Sequence, residues 1–212
     1  MTGMGHLVAA WLDLGSRLGA RDDVAGAGAN LLGRWAEPHR GYHDLAHLDE
    51  VLARIDLLAD EAEQPDVVRL AAWFHDAVYH PTAGDNEERS AELAQKVLGR
   101  LDLPGDVSDE VARLVRLTTT HDVEDGDRDG AVLCDADLGV LASGALRYTS
   151  YVEGVRREFA HVDDESFALG RSAVLSTLLD RPALFHTAYG RREWEAAARA
   201  NVTAELTRLR AT

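Results

Sequence analysis

One cysteine, a shortage of basic side chains and the lack of a long apolar run set the first limits on this 212-residue chain. The lone Cys134 excludes an intrachain disulfide and any cysteine-rich zinc site, and it suits a reducing cytoplasm, the compartment expected here. Nothing cationic in nearby sequence would activate that thiol, so it reads as a small buried hydrophobe. Lys and Arg number 22 against 37 Asp and Glu, a formal net charge of −15. Non-specific affinity for nucleic acid comes from neutralising phosphates with basic side chains, so a large nucleic acid is excluded as an expected partner. A small phosphorylated substrate is not excluded, because a metal ion and a few arginines can reverse the sign inside a pocket. The N-terminal stretch Leu7–Leu12 is broken at once by Asp13, which fits neither a signal peptide nor a membrane span. No strand-like alternation, repeat, low-complexity tract or linker stands out.

What is present is helical periodicity. Leu7, Trp11, Leu14 and Leu18 form one apolar stripe; Leu45, Leu48, Leu52, Ile55 and Ala59 form another; Val67, Leu70, Ala71, Phe74 and Ala77 form a third. Asp85 with Glu88 has the form of a capping box before Ala91, Ala94, Val97, Leu98 and Leu101. Pro104-Gly105 reads as a turn, with Ser108 as the cap of the helix that follows. Further helices are expected near 131–142, 145–160, 164–180 and 191–210, with Arg181-Pro182 as a stop. The acidic loop 122–130 lacks the ligand order and closing Glu of an EF-hand and reads as a solvated loop. The expectation is one all-α domain.

Nine histidines are present. For His6, His39, His80, His161 and His186 the plain reading is an exposed or hydrogen-bonded side chain. Others stand in notable company. His43 and His47 are four apart, as on one helix face; His75-Asp76 closes a strongly apolar run; His121 follows three threonines; Asp135 and Asp137 sit in an otherwise apolar helix. Burying an unpaired charge costs several kcal/mol, so such acids need partners, and a divalent cation held by imidazole and carboxylate is one. Residues two apart on a helix point to nearly opposite sides, so only one of Asp135 and Asp137 should meet such an ion.

The ordered set His47, His75-Asp76, Asp137 resembles the signature of the HD superfamily of metal-dependent phosphohydrolases. The resemblance extends to a bacterial group within it through Arg40-Gly41-Tyr42-His43, Trp73-Phe74-His75-Asp76-Ala77-Val78-Tyr79, Asp85 to Ser90, Thr118 with His121, and Asp135-Ala136-Asp137-Leu138. Tyr148 to Tyr151, Gly170-Arg171, Ala198 to Asn201 and Glu205-Leu206 continue it, so that it covers roughly residues 31–210. It implies a helical HD-type bundle that hydrolyses a phosphate ester of a nucleotide or other small metabolite. It also implies metal ligation by His47, His75, Asp76 and Asp137; Asp137 rather than Asp135 matches the final acid by its Ala-Asp-Leu context.

The ion could be Mn, Fe, Zn, Ni, Co or Mg. Asp76, Glu87 and Glu88 are candidates to orient or deprotonate water, Arg40 to clamp phosphate, and His43 and His121 to contact substrate or assist the ligands. Acids at positions 87 and 88 also fit a first helical turn with no catalytic role. Between the His-Asp pair and Asp137 lie only His80, in a turn before Pro81, and His121. That is too few for a second ion, so one metal per chain is expected. A di-iron oxygenase and a non-catalytic ligand-sensing module remain alternatives; the substrate and oligomeric state stay open.

Overall fold

Ten α-helices and no strand form among the described residues, 3–211, of the computed structural model. In chain order they are α1 (Gly3–Arg17), α2 (Val24–Trp35), α3 (Leu45–Leu58), α4 (Pro65–Phe74), α5 (Asn86–Arg100), α6 (Gly105–Leu117), α7 (Arg128–Leu138), α8 (Ala145–Glu158), α9 (Asp164–Asp180) and α10 (Glu195–Leu209). Single 3-10 turns follow α3 and α7, at Ala59–Glu61 and Gly139–Ala142, and a π turn at Gly190–Trp194 leads into α10. None of these helices is long and apolar enough to cross a membrane.

The apolar stripes bury as the periodicity predicts, in two clusters. The larger gathers Leu7, Trp11 and Leu14 of α1 with Trp35, Leu48, Ile55, Trp73 and Phe74, and extends through α5, α6 and α7. Tryptophans tie its helices together: the Trp35 indole donates to the Trp73 carbonyl at 3.0 Å, and that of Trp11 to Val24 at 2.7 Å. Full burial of each such side chain contributes about 2–3 kcal/mol. The second cluster joins Tyr148, Tyr151 and Val155 of α8, Leu175 of α9 and Ala198, Val202 and Leu206 of α10 to Tyr42, Leu184 and Phe185. The α7 helix crosses from one cluster to the other: Ala136 belongs to the first, while Leu138 packs on the second. Asp137 therefore lies on the seam.

Three local expectations need correction. Asp85 does occupy the N-cap position of α5, but its carboxylate receives no backbone bond, and Glu88 pairs with Arg116 instead, so no capping box forms. Ser108 is not a cap. The α6 helix begins three residues earlier at Gly105, behind Pro104, and Ser108 is buried inside it. His43 is not on a helix with His47, because the Asp44 carboxylate accepts from Ala46 and His47 and starts α3 after His43.

The loop before α3 presses against α8. A Cβ on Gly154 would stand 2.7 Å from the Gly41 carbonyl oxygen and 3.0 Å from the Tyr42 Cβ. Tyr42 belongs to the second core cluster and the Gly41 N–H is bonded to buried Glu158, so neither can yield cheaply. Gly154→Ala is expected to lose about 1–3 kcal/mol of stability, seen as a lower midpoint in urea unfolding; an unchanged midpoint would show that the loop can retreat.

Candidate metal centre

Three helix ends bring the ligand-type side chains together. His47 sits in the first turn of α3, fixed there by the Asp44 cap. The α4 helix starts at Pro65, with the two preceding backbone N–H groups, of Glu63 and Gln64, bonded to buried Asp129 at 2.7 and 2.9 Å. Past Arg69 it is wholly apolar, from Leu70 to Phe74, and His75 is its C-cap residue. Asp76 and Ala77 lie in the turn beyond, where the Ala77 N–H bonds to Phe74. His75 and Asp76 can face the same way because the helix has ended, so the rule that separates neighbouring helical residues no longer governs them. Asp137 comes from the last turn of α7.

The His47 and His75 Nε2 atoms stand 3.2 Å apart. Asp137 Oδ1 lies 3.1 Å from the first and 3.6 Å from the second, and Asp76 Oδ2 lies 3.8 and 3.3 Å from them. Donor atoms of His47, His75 and Asp137 all fall within 4.8 Å of one another. This group can hold a metal ion. The tautomers support the fit: His75 Nδ1 donates to the Ala72 carbonyl at 2.8 Å, which leaves its Nε2 lone pair facing His47. Two imidazole nitrogens at that spacing cannot both present lone pairs unless a proton or cation lies between them. His47 Nδ1 is itself enclosed without a partner, beside the equally unpartnered Tyr42 hydroxyl, with ring centroids 4.7 Å apart.

Electrostatics keep the acids charged. Burial would raise the carboxyls of Asp76 and Asp137, but the neighbouring imidazoles hold both below the ordinary aspartate range. Burial lowers His47, whereas at His75 the Asp76 and Asp137 charges overcome burial and lift it well above the usual histidine value. The two carboxylates thus call for positive charge at this point, the place a divalent cation would take.

Asp135 points the other way, as helical geometry predicts. Its carboxylate accepts from the His186 and Thr187 N–H groups, each at 2.8 Å, and from the Thr187 hydroxyl at 2.6 Å. His121 does join the cluster: its Nε2 lies 2.8 Å from Asp137 Oδ2, and its backbone sits in the left-handed region at φ 54°. Arg181, just past α9, braces that loop through the carbonyls of Thr120 and His121. A non-glycine residue held there against its preference suggests a side chain being aimed.

Arg40 is placed differently from the phosphate clamp expected of it. Its guanidinium has no exposed surface and is spent on the carbonyls of His43, Asp76 and Ala77 and on Glu37. It lacks free donors for a ligand and instead fastens the His43 loop to the His75-Asp76 turn. Glu88 is exposed on Arg116, and Glu87 makes no contact with the cluster. The Arg116 pair holds Glu88 at the surface. His80 bonds Thr82 and packs near His39, away from the cluster, and half-buried His186 has an enclosed Nε2 with no hydrogen-bond partner among the described residues. In the acidic loop Asp127 caps α7 and pairs with Arg113, and Asp122 pairs with Arg181.

Sequence reasoning missed Glu158. It lies fully enclosed at the end of α8 and accepts from the N–H groups of Gly41, Tyr42 and His43 at 2.8–2.9 Å through Oε1. Its Oε2 accepts from His43 Nδ1 and the Tyr79 hydroxyl, both at 2.8 Å. A signal existed: Tyr151, Gly154, Val155 and Glu158 continue one buried helical face, and an acid that extends an apolar stripe needs an internal partner.

No protein-family model, no curated protein and no solved structure matches this chain. The metal centre rests on its own geometry.

Two predictions follow from that geometry. Asp137→Asn and His75→Ala should lose stoichiometric metal by elemental analysis, whereas Asp135→Asn and His161→Ala should keep it; metal retained in the first pair refutes the centre. The second concerns acid stability. Burial would raise the Glu158 carboxyl, yet the His43 bond and charge and the backbone donors bring it from 4.5 down to about 2. A carboxyl lowered on folding contributes stability that is complete above the unfolded value and is lost as pH falls through the folded one. Between pH 5 and 2 the wild type should therefore lose on the order of 3 kcal/mol more than Glu158→Gln does. Parallel stability curves would show that Glu158 titrates normally.

Proposed function

We propose that the chain is a metal-dependent phosphohydrolase of the HD type, acting on a nucleotide or another small phosphorylated metabolite in a reducing cytoplasm. The observation that carries this reading is the convergence of His47, His75, Asp76 and Asp137, in HD order, from three separate helix ends onto one point. His47, His75 and Asp137 would hold one divalent ion, with Asp76 as the fourth ligand. Bound there, the ion supplies Lewis-acid polarisation of a phosphoryl oxygen and activation of water near neutral pH.

The protein groups supply the rest. The Asp76 carboxylate, kept ionised by its neighbours, is the acceptor for a proton from the attacking water. His43 and His121 flank the cluster on two sides and are the polar groups available to a phosphate. Trp35 packs on the inner faces of His47 and His75, with ring centroids at 6.1 and 5.3 Å, and excludes water from behind the ligands.

One observation favours a second reading, a two-ion centre. Asp137 turns Oδ1 to His47 and His75 but Oδ2 to His121, the disposition of a bridging carboxylate. His80 stands apart, so a second ion would find only His121 and one Asp137 oxygen among these groups. One ion per chain remains the preferred stoichiometry. Elemental analysis with an oxygen electrode separates the cases: two irons and oxygen consumption would replace hydrolysis by oxygen chemistry.

The reading is tested with a panel of nucleotides and phosphorylated metabolites. Chelation should abolish phosphate release and a divalent ion should restore it. Asp76→Asn should lower kcat by about 100-fold or more. Full metal occupancy with no turnover of any panel member would favour a ligand-sensing module.

A further inference from the structure

We propose that Glu158 is a positioning residue for substrate: it locks His43 so that Nδ1 is used inside the protein and Nε2 is presented, beside the metal centre, to a phosphoryl oxygen. The proposal rests on the phosphohydrolase reading and deepens it.

The two oxygens of Glu158 are divided between two tasks. Oε1 takes three consecutive backbone N–H groups, at Gly41, Tyr42 and His43, and that set alone anchors the loop to α8. A glutamate needed only to hold the loop would require nothing more. Oε2 is reserved for two side chains, His43 Nδ1 and the Tyr79 hydroxyl. An ionised carboxylate can only accept, so the proton of that bond sits on His43 Nδ1; the other ring nitrogen is the working atom, donating to a phosphoryl oxygen when the ring carries a second proton and accepting from a P–OH when it does not.

The ring itself cannot turn. Tyr79 lies against one side, with centroids 4.3 Å apart and planes at 31°; Tyr42 and His47 meet it edge to face at 4.8 and 5.6 Å. Arg40 holds the backbone on both sides of the gap through the His43 and Asp76 carbonyls and lies over the Tyr79 ring. The His43 side chain keeps 24% exposure, against none for Glu158 and Arg40. Its Nε2 is not enclosed and has no protein partner among the described residues. Five hydrogen bonds, a ring stack and a buried arginine thus converge to present one open nitrogen next to His47. Such rigid support, supplied from an element distant in sequence, is what a substrate contact needs in order to act without reorganisation.

The experiment uses the full chain and inorganic phosphate as probe. In metal-free protein, the ring nitrogens of His43 should show a protonated, hydrogen-bonded Nδ1 by NMR, and Glu158→Gln should lose that signature. In zinc-loaded protein, Glu158→Gln and His43→Gln should each weaken phosphate binding about tenfold, the equivalent of ~1.4 kcal/mol. Their combination should weaken it no further, and metal content should stay unchanged. Should Glu158→Gln fail to fold, Tyr79→Phe removes one partner of Oε2 while leaving the Oε1 anchor, and a loss of about threefold is expected. Phosphate affinity unchanged in Glu158→Gln, or in Tyr79→Phe where that variant stands in, overturns the proposal while leaving the phosphohydrolase reading intact. A wild-type protein that holds zinc but binds no phosphate overturns both.

Discussion

Two imidazole nitrogens 3.2 Å apart, enclosed by the protein and flanked by two carboxylates that keep only 13% and 16% exposure, impose the main constraint on this molecule. In water, such charges would be solvated separately at little cost. On the seam between two apolar clusters they are not, and breaking one partner away leaves a buried charge costing about 3–5 kcal/mol. A cation, whether a proton on His75 or a divalent ion, resolves the conflict. The ends of α3, α4 and α7 must then meet at one point, since none carries enough ligands by itself.

The same economy of buried charge governs the loop before α3. Residues 36–44 lie outside regular helix, yet from Arg40 to Asp44 the chain is buried or half-buried and its polar groups need partners. Glu158 accepts from three N–H groups there, and Arg40 donates to the carbonyl of His43 as well as to two carbonyls beyond α4. Each ion is satisfied by several backbone dipoles as well as by a side-chain partner, Glu37 for Arg40 and His43 for Glu158. This makes both effective clamps and leaves neither free for a ligand. Gly41 and Gly154 allow the close approach on which the clamp depends.

The helices were legible because their apolar stripes recur at 3.6-residue spacing, and the divergence of Asp135 and Asp137 followed from the same geometry. Boundaries were harder. The Asp44 cap, one residue past His43, removes His43 from the helix that the four-residue spacing with His47 suggested. The α4 helix stops at Phe74 with no glycine or proline to mark it, so only family resemblance joined His75 to Asp76 in advance. Arg40 looked like a ligand clamp because its carbonyl acceptors at Asp76 and Ala77 are remote in sequence and leave no local pattern. Glu158 stood next to Arg156 and Arg157 as one more charge near a helix end. The loop it serves, Gly41 to His43, is more than a hundred residues away, and Tyr79 is 79 away.

Asp135 and Asp137 together explain why the centre can be rigid. A helix turns about 100° per residue, so a small rotation of α7 would swing the Asp137 carboxylate away from His47. Asp135, on the opposite side, grips the 186–187 backbone and the Thr187 hydroxyl. Burial raises its carboxyl while the Thr187 and His186 donors pull it back, which places this acid under a real desolvation cost. That cost is offset only while all three donors stay in place, so the rotation of α7 is fixed by a group that never touches the metal site. Gly190 completes the fit, because a Cβ there would press on both Asp135 and Thr187. The alternation of two acids along one helix thus gives one to the ligand set and one to the scaffold, and the second determines how accurately the first is aimed.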